Sequence, residues 1–300
     1  MAGTERSIFG LLIVAMFFWG SNFNAASALA GIVPPLTAGA ERFLIAALIF
    51  LILRLYHGRA ESRLEGWMPM KLVALGILGV FGFNFAFFTG LQSTSALNGA
   101  LIMATSPLVT TLLASVVLGG RLGIQHWLGA CLGFMGVALV ITGKSDTRLQ
   151  FAEGDLYMIV ACLCWSLYSV LCKRYAPTVP PLQLSRWNIC AGAISLSLAA
   201  VLFEHPETLI PQLVPQTHLI LLYMGACGSV LAYIFWLKGI QALGPGRAAL
   251  FFNLVPVFTL LVGMVLGEPP QPLQLIGMVG VITGVMLGNG VFRQFGWRAV

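Results

Sequence analysis

Glu41 and Arg42 stand side by side in residues 36–53, a run that is otherwise uncharged and almost wholly apolar. They fall about two turns beyond Pro35. A charge carried deep into hydrocarbon costs about 2.5–3.5 kcal/mol on insertion scales. That cost favours a wet cavity or a partner, with snorkelling to the interface as the alternative for the arginine. Successive residues on a helix point about 100° apart, so the two need not pair with each other. Their chemistry would be to contact a substrate carboxylate or to form a salt-bridge gate. Glu41 is also the one plausible intramembrane carrier of a proton.

A second set is polar and aromatic. Trp19 and Asn22 share a helix face, as do Trp165 and Tyr168. Asn84 precedes Phe87 and Phe88 by about one turn, and Tyr233 precedes Trp236 in the same way. Ser106 and Thr110 flank Pro107, and Asn253 precedes Pro256. Aromatic walls with a few hydrogen-bonding groups suit an amphipathic small molecule, and its own ring could stack there. Two other uses compete. Tryptophan and tyrosine anchor helices at bilayer interfaces, the reading preferred for Trp67, Trp127, Trp297 and Tyr56. Asn and Ser also act as interhelical glue, at ~0.6 kcal/mol each.

Catalytic constellations are lacking. There is no glycine-rich phosphate loop followed by lysine and no Gly-x-Ser-x-Gly elbow. The four histidines (His57, His126, His205, His218) read as lying in or beside loops. The six cysteines fall in apolar segments without metal or disulfide spacing. No enzyme activity, cofactor or metal is expected.

The elements that carry these residues follow from composition. The chain has 300 residues, 58% hydrophobic and 9% charged, with a mean hydropathy of +0.92. Soluble domains carry about 25% charged residues. This is an all-α integral membrane protein by composition. The net charge of +6 sits in short connectors and does not suggest nucleic acid. Ten apolar runs of spanning length lie near residues 7–29, 35–56, 69–90, 95–118, 125–143, 154–174, 182–203, 218–239, 244–266 and 273–292. No cleavable signal stands out at the N-terminus. Twelve of the sixteen Lys and Arg fall in connectors on one side; only Lys144 and Arg148 fall on the other. The positive-inside rule then puts both termini in the cytoplasm.

The chain is also duplicated. Trp19 pairs with Trp165, and Pro34-Pro35 with Pro180-Pro181, each offset by 146. Gly90-Leu91-Gln92 pairs with Gly239-Ile240-Gln241 and Pro107 with Pro256, offset by 149. Gly129 and Gly136 pair with Gly277 and Gly284, offset by 148. Two repeats, 1–146 and 147–300, result. Five spans in each turn the second repeat upside down, the inverted architecture of many secondary transporters. The polar stretch 144–155 reads as a solvated external linker. Gly129, Gly133 and Gly136 on the fifth span, and Gly277, Gly280, Gly284 and Gly288 on the tenth, predict close packing of these two helices. Homodimerisation through the stripe is the alternative to a monomer. Pro107 and Pro256, in mid-span, predict either static kinks or hinges beside the substrate path.

The Trp19-Gly20 and Trp165-Ser166 segments, Glu41-Arg42-Phe43, the proline helices and Leu266-Gly267-Glu268 together resemble the drug/metabolite transporter superfamily. The likeness is to its ten-span branch with two EamA-type repeats, and it covers nearly the whole chain. Within that branch the chain is most similar to bacterial inner-membrane amino-acid exporters, including the aromatic type. The resemblance implies export of small metabolites by alternating access around a central cavity. The chain departs from its relatives in places. Leu118-Gly119-Gly120 carries no acid matching Glu268. The first span has no acid after Glu5, unlike the small four-span multidrug exporters, which exchange protons there. A facilitator is therefore open beside a proton antiporter. A nucleotide-sugar or drug carrier of the same fold is the alternative substrate reading, though phosphates would call for more cations than two intramembrane arginines. A membrane sensor or enzyme without transport lacks any partner domain or catalytic cluster.

Overall fold

The computed structural model describes residues 3–57, 63–119, 123–143, 152–205 and 214–291. Among these, helices and short turns are the only regular structure. In chain order they are α1 (Gly3–Leu29), α2 (Pro35–His57), α3 (Met68–Leu91), α4 (Ala96–Ala104 and Ser106–Leu118) and α5 (Ile124–Thr142). Then come α6 (Glu153–Tyr175), α7 (Pro181–Phe203), α8 (Pro215–Leu243), α9 (Pro245–Val265) and α10 (Pro272–Gly288). Among the described residues, α1 to α9 include nine helices long and apolar enough to cross a membrane; α10 is a shorter apolar helix of 17 residues. Large apolar side chains such as Leu48, Val116 and Val265 point outward, the surface expected of a protein solvated by lipid.

Proline sets the starts. Pro35, Pro181, Pro215, Pro245 and Pro272 each stand at the first position of a helix, where a missing N–H costs nothing and φ is already helical. This moves the start of α8 to Pro215, three residues before the expected boundary. His218 therefore lies in the first turn of a helix and not beside a loop. His126 is likewise buried inside α5, where its Nε2 meets Thr111 Oγ1 at 2.9 Å. Lys144, Arg148, Arg59, Arg121, Arg293, Arg298 and Trp297 lie outside the described residues. Trp67 and Tyr56 are exposed, as interface anchors would be.

The glycine helices pack as expected. A Cβ on Gly129 would lie 2.3 Å from the Gly288 nitrogen, and one on Gly136 would lie 2.5 Å from the Val281 nitrogen. From the other side, a Cβ on Gly284 would lie 2.5 Å from the Gly133 nitrogen. Only hydrogen fits between these backbones, so α5 and α10 form one tight antiparallel pair whose contact is carried by glycine.

Four helices are interrupted near the centre. In α4 the helix breaks at Thr105, whose hydroxyl donates to the Ile102 carbonyl at 2.6 Å, and restarts with Ser106-Pro107 in its first turn. In α9 a 3₁₀ turn, Phe251–Asn253, precedes the segment that contains Pro256. Each proline thus follows a break, because its ring displaces the preceding carbonyl. The other two interruptions have no proline. α3 and α8 pass through π-helix at Ile77–Gly82 and Met224–Leu231. Their first residues are offset by 147, within the repeat spacing.

Candidate functional site

The first and sixth helices each press a side chain onto a π segment. A Cβ on Gly228 would lie 1.7 Å from Asn22 Nδ2, and one on Gly79 would lie 2.2 Å from the Tyr168 ring. Asn22 and Tyr168 are repeat mates, and so are Gly228 and Gly79. In each case a polar side chain lies flat on a glycine of a π segment, the kind of local irregularity that recurs at functional sites. The Trp19 indole donates to the Gly228 carbonyl at 2.9 Å, so Trp19 and Asn22 reach the same residue of α8 from one face of α1.

Between these contacts sits an aromatic cluster. The Trp19 ring meets Trp165 edge-on at 5.3 Å and Trp236 at 5.6 Å; Trp165 and Trp236 stack at 5.5 Å. Tyr233 stands 5.9 Å from Trp19 and 6.0 Å from Trp165, and Tyr168 stands 5.7 Å from Trp165. Sequence reasoning named these five residues, and the fold brings them together from α1, α6 and α8. It missed Phe252 on α9, which meets Trp19 and Trp165 at 5.8 Å, and Phe83 on α3, 5.5 Å from Trp165. Trp19, Trp165, Tyr168, Tyr233 and Trp236 are buried, while Phe83 and Phe252 are partly exposed.

Several buried polar atoms around the rings have no hydrogen-bond partner: both amide ends of Asn22 and of Asn253, and the Trp236 indole nitrogen. Asn253 lies against Gly133 of α5, where a Cβ would come within 2.4 Å of its nitrogen. A buried orphan amide costs about 1–3 kcal/mol, so these groups call for water or a ligand. Two other expected lining residues are already occupied or set apart. Asn84 donates to the Val80 carbonyl of its own helix at 2.6 Å. Ser106 is buried beside the α4 break, where Thr105 meets Cys162 of α6 at 3.7 Å. The Tyr168 hydroxyl accepts from Asn188 Nδ2 at 3.0 Å.

Glu41 and Arg42 both reach from α2 to α8, by different residues. Glu41 Oε1 meets His218 Nδ1 at 2.5 Å, while its other oxygen is buried without a partner. Arg42 donates through Nε to Ser229 Oγ at 2.7 Å. The sequence signal that could have found Ser229 is its place beside Gly228; His218 was hidden by the misplaced start of α8. The N-terminus of α2 is also capped: Glu204, just past α7, accepts from the backbone N–H of Leu36 at 3.0 Å and of Thr37 at 2.6 Å. A negative charge is favourable there.

Two further ties sit at matched positions. Glu5 of α1 pairs with Arg247 of α9 at 2.7 Å. Asp155 of α6 accepts from Thr94 Oγ1, and from Asn98 Nδ2 of α4 at 3.1 Å. Glu5 and Asp155 are offset by 150, Asn98 and Arg247 by 149.

Comparison with known proteins bears on this arrangement. The EamA-like transporter family profile matches twice, over residues 6–142 and 152–289. An uncharacterized transporter of Bacillus subtilis (strain 168), YyaM, is 37% identical over 96% of this chain and 95% of its own length. The aromatic amino acid exporter YddG of Ancylobacter novellus is 27% identical over 68% of this chain and 70% of its own. A solved crystal structure superposes with a TM-score of 0.82, at 24% identity, over 97% of this chain and 99% of that one, which shows the fold. The chain belongs to the EamA-like transporter family of the drug/metabolite transporter superfamily, and is a multi-pass membrane transporter of small molecules, not an enzyme.

Proposed function

We propose that this protein exports amino acids, aromatic ones included, and related small metabolites across the inner membrane of a bacterium by alternating access. The observation that carries the reading is the closed cluster of Trp19, Trp165, Tyr168, Tyr233 and Trp236, with the orphan amides of Asn22 and Asn253 beside it. An aromatic side chain can replace ring–ring contacts with equivalent ones, and a backbone-like polar end can satisfy the amides. The name of the 27% identical exporter supports the same substrate class.

In this reading residues 1–146 and 147–300 are two inverted five-helix repeats with both termini in the cytoplasm, and α10 is the tenth span. Trp19, Asn22, Asn84, Ser106, Trp165, Tyr168, Tyr233, Trp236 and Asn253 line the path. Glu41 and Arg42 gate or orient the substrate, and the breaks before Pro107 and Pro256 are hinges. The Glu5–Arg247 and Asp155–Asn98 ties then lie toward opposite faces. Both are formed in this structure, and alternating access would open one while the other holds.

Counterflow in proteoliposomes tests this. Vesicles loaded with labelled tryptophan, threonine or a nucleotide sugar are assayed with and without an imposed pH gradient. Exchange of the amino acids is expected. Exchange of the nucleotide sugar alone would overturn the substrate class. Accumulation that requires the gradient would make Glu41 the proton carrier; indifference to it would make the protein a facilitator.

A further inference from the structure

We propose that the centre of this protein recognises its substrate through a carboxylate, held by Arg42 and Asn22, and makes no use of an ammonium group. The inference rests on the transport reading above and deepens it.

The subsite is assembled on two adjacent residues of the α8 π segment. Ser229 anchors Arg42 from the α2 side at 2.7 Å, and Gly228, its neighbour, receives Asn22 and Trp19 from the α1 side. The Arg42 guanidinium carbon lies 4.8 Å over the Phe43 ring. Phe43 in turn meets Tyr233 at 6.1 Å, and Tyr233 is part of the central cluster. A cation, an orphan amide and a set of aromatic rings therefore converge on one π segment. Among the described residues Arg42 has no carboxylate partner, since the adjacent Glu41 is taken by His218. A guanidinium offers five N–H donors in a planar fork suited to a carboxylate, and Nε uses one of them here. Asn22 is 5% exposed, and both ends of its amide lack partners. Its nitrogen can donate to the second carboxylate oxygen.

Among the described residues, nothing comparable beside this subsite awaits a positive charge. Glu41 has a buried oxygen without a partner, but its carboxylate meets His218, eleven residues before Ser229 on α8 and so about 16 Å away along the axis. Among the described acids, Glu5 holds Arg247, Asp155 holds Thr94 and Asn98, and Glu204 caps α2. The remaining described acids other than Glu41 are exposed. The rings themselves attract cations weakly through their faces, but a fixed guanidinium beside them opposes that attraction. The class of ligand is thus an aromatic carboxylate: an amino acid, or an arylalkanoic or aryl 2-oxo acid without an amine.

The test is competition against tryptophan counterflow, with 3-phenylpropionate (carboxylate, no amine) and tryptamine (amine, no carboxylate). The acid is expected to compete and tryptamine is not. R42Q is expected to raise the half-saturating concentration of both tryptophan and 3-phenylpropionate about 10- to 100-fold, the range for loss of a charged hydrogen bond, with R42K between the two. Should R42Q fail to reach the membrane, S229A, which keeps the charge and removes its anchor, is expected to raise it a few-fold. Competition by tryptamine equal to that of the acid, or unchanged saturation in R42Q or S229A, would overturn the proposal. Thermal shift of the purified protein separates the two readings. Stabilisation by 3-phenylpropionate that R42K weakens, in a protein that does not exchange tryptophan, supports the subsite and overturns only amino-acid export. Stabilisation by tryptamine alone would overturn the subsite.

Discussion

Trp165 meets more of the central cluster than any other ring named here: Trp19, Tyr168, Tyr233, Trp236, Phe83 and Phe252. Trp165→Ala is expected to abolish transport while membrane expression persists; counterflow beside an immunoblot of membranes checks both, and an unchanged rate would remove Trp165 from the path. His218 works on stability instead. His218→Ala leaves the part-buried Glu41 carboxylate without its partner, an expected loss of about 1–3 kcal/mol, read as a lower melting temperature in detergent. An unaltered melt would mean that water replaces the imidazole at no cost. The tryptophans were legible because the repeat matched them inside apolar runs. Phe83 and Phe252 were not, since in a chain with 20 phenylalanines nothing in residue type separates a ring at the centre from one facing lipid.

At the scale of elements, the α5–α10 seam makes the sharpest demand on sequence. Gly136→Ala puts a methyl 2.5 Å from the Val281 nitrogen and 2.7 Å from the Gly277 oxygen, so the backbones must separate. A loss of about 1–3 kcal/mol is expected, the usual penalty of overpacking, measured as a fall in thermal stability; Gly10→Ala, whose added methyl meets nothing within 4 Å, is the control. This pairing could be read from sequence because three- and four-residue glycine spacing in apolar helices has one main use. The breaks in α4 and α9 were half legible. Proline announces a lost hydrogen bond, but whether the helix kinks or restarts depends on its neighbours. The π segments left no mark of their own. A π turn costs no special residue, and its glycines look like any others in a chain with 34. Only the recurrence of Gly79 and Gly228 at the repeat offset held a clue.

At the scale of the whole molecule, the all-α membrane class was within reach of composition, because hydrocarbon allows few solutions to backbone hydrogen bonding, and the family was legible in the motifs that resemble it. Orientation rests on charge alone. A cysteine introduced at position 145 is expected to react with an impermeant maleimide in intact cells, and one at position 122 only after permeabilisation; the reverse pattern would invert the topology. One consequence of the π segments reaches across the molecule. Such a segment holds one residue more than the α-helix it interrupts, so α3 and α8 each carry a surplus residue just before the stretch that faces the centre. Deleting that surplus residue from Ile77–Gly82 lets the stretch close into regular α-helix and keeps Asn84 and Phe87 on the same face. A deletion elsewhere in the span has no surplus to absorb it and would turn everything after it by about 100°. Within this family, single-residue gaps confined to these two stretches would then leave the groups that face the centre in place, whereas a gap on either side of them would not.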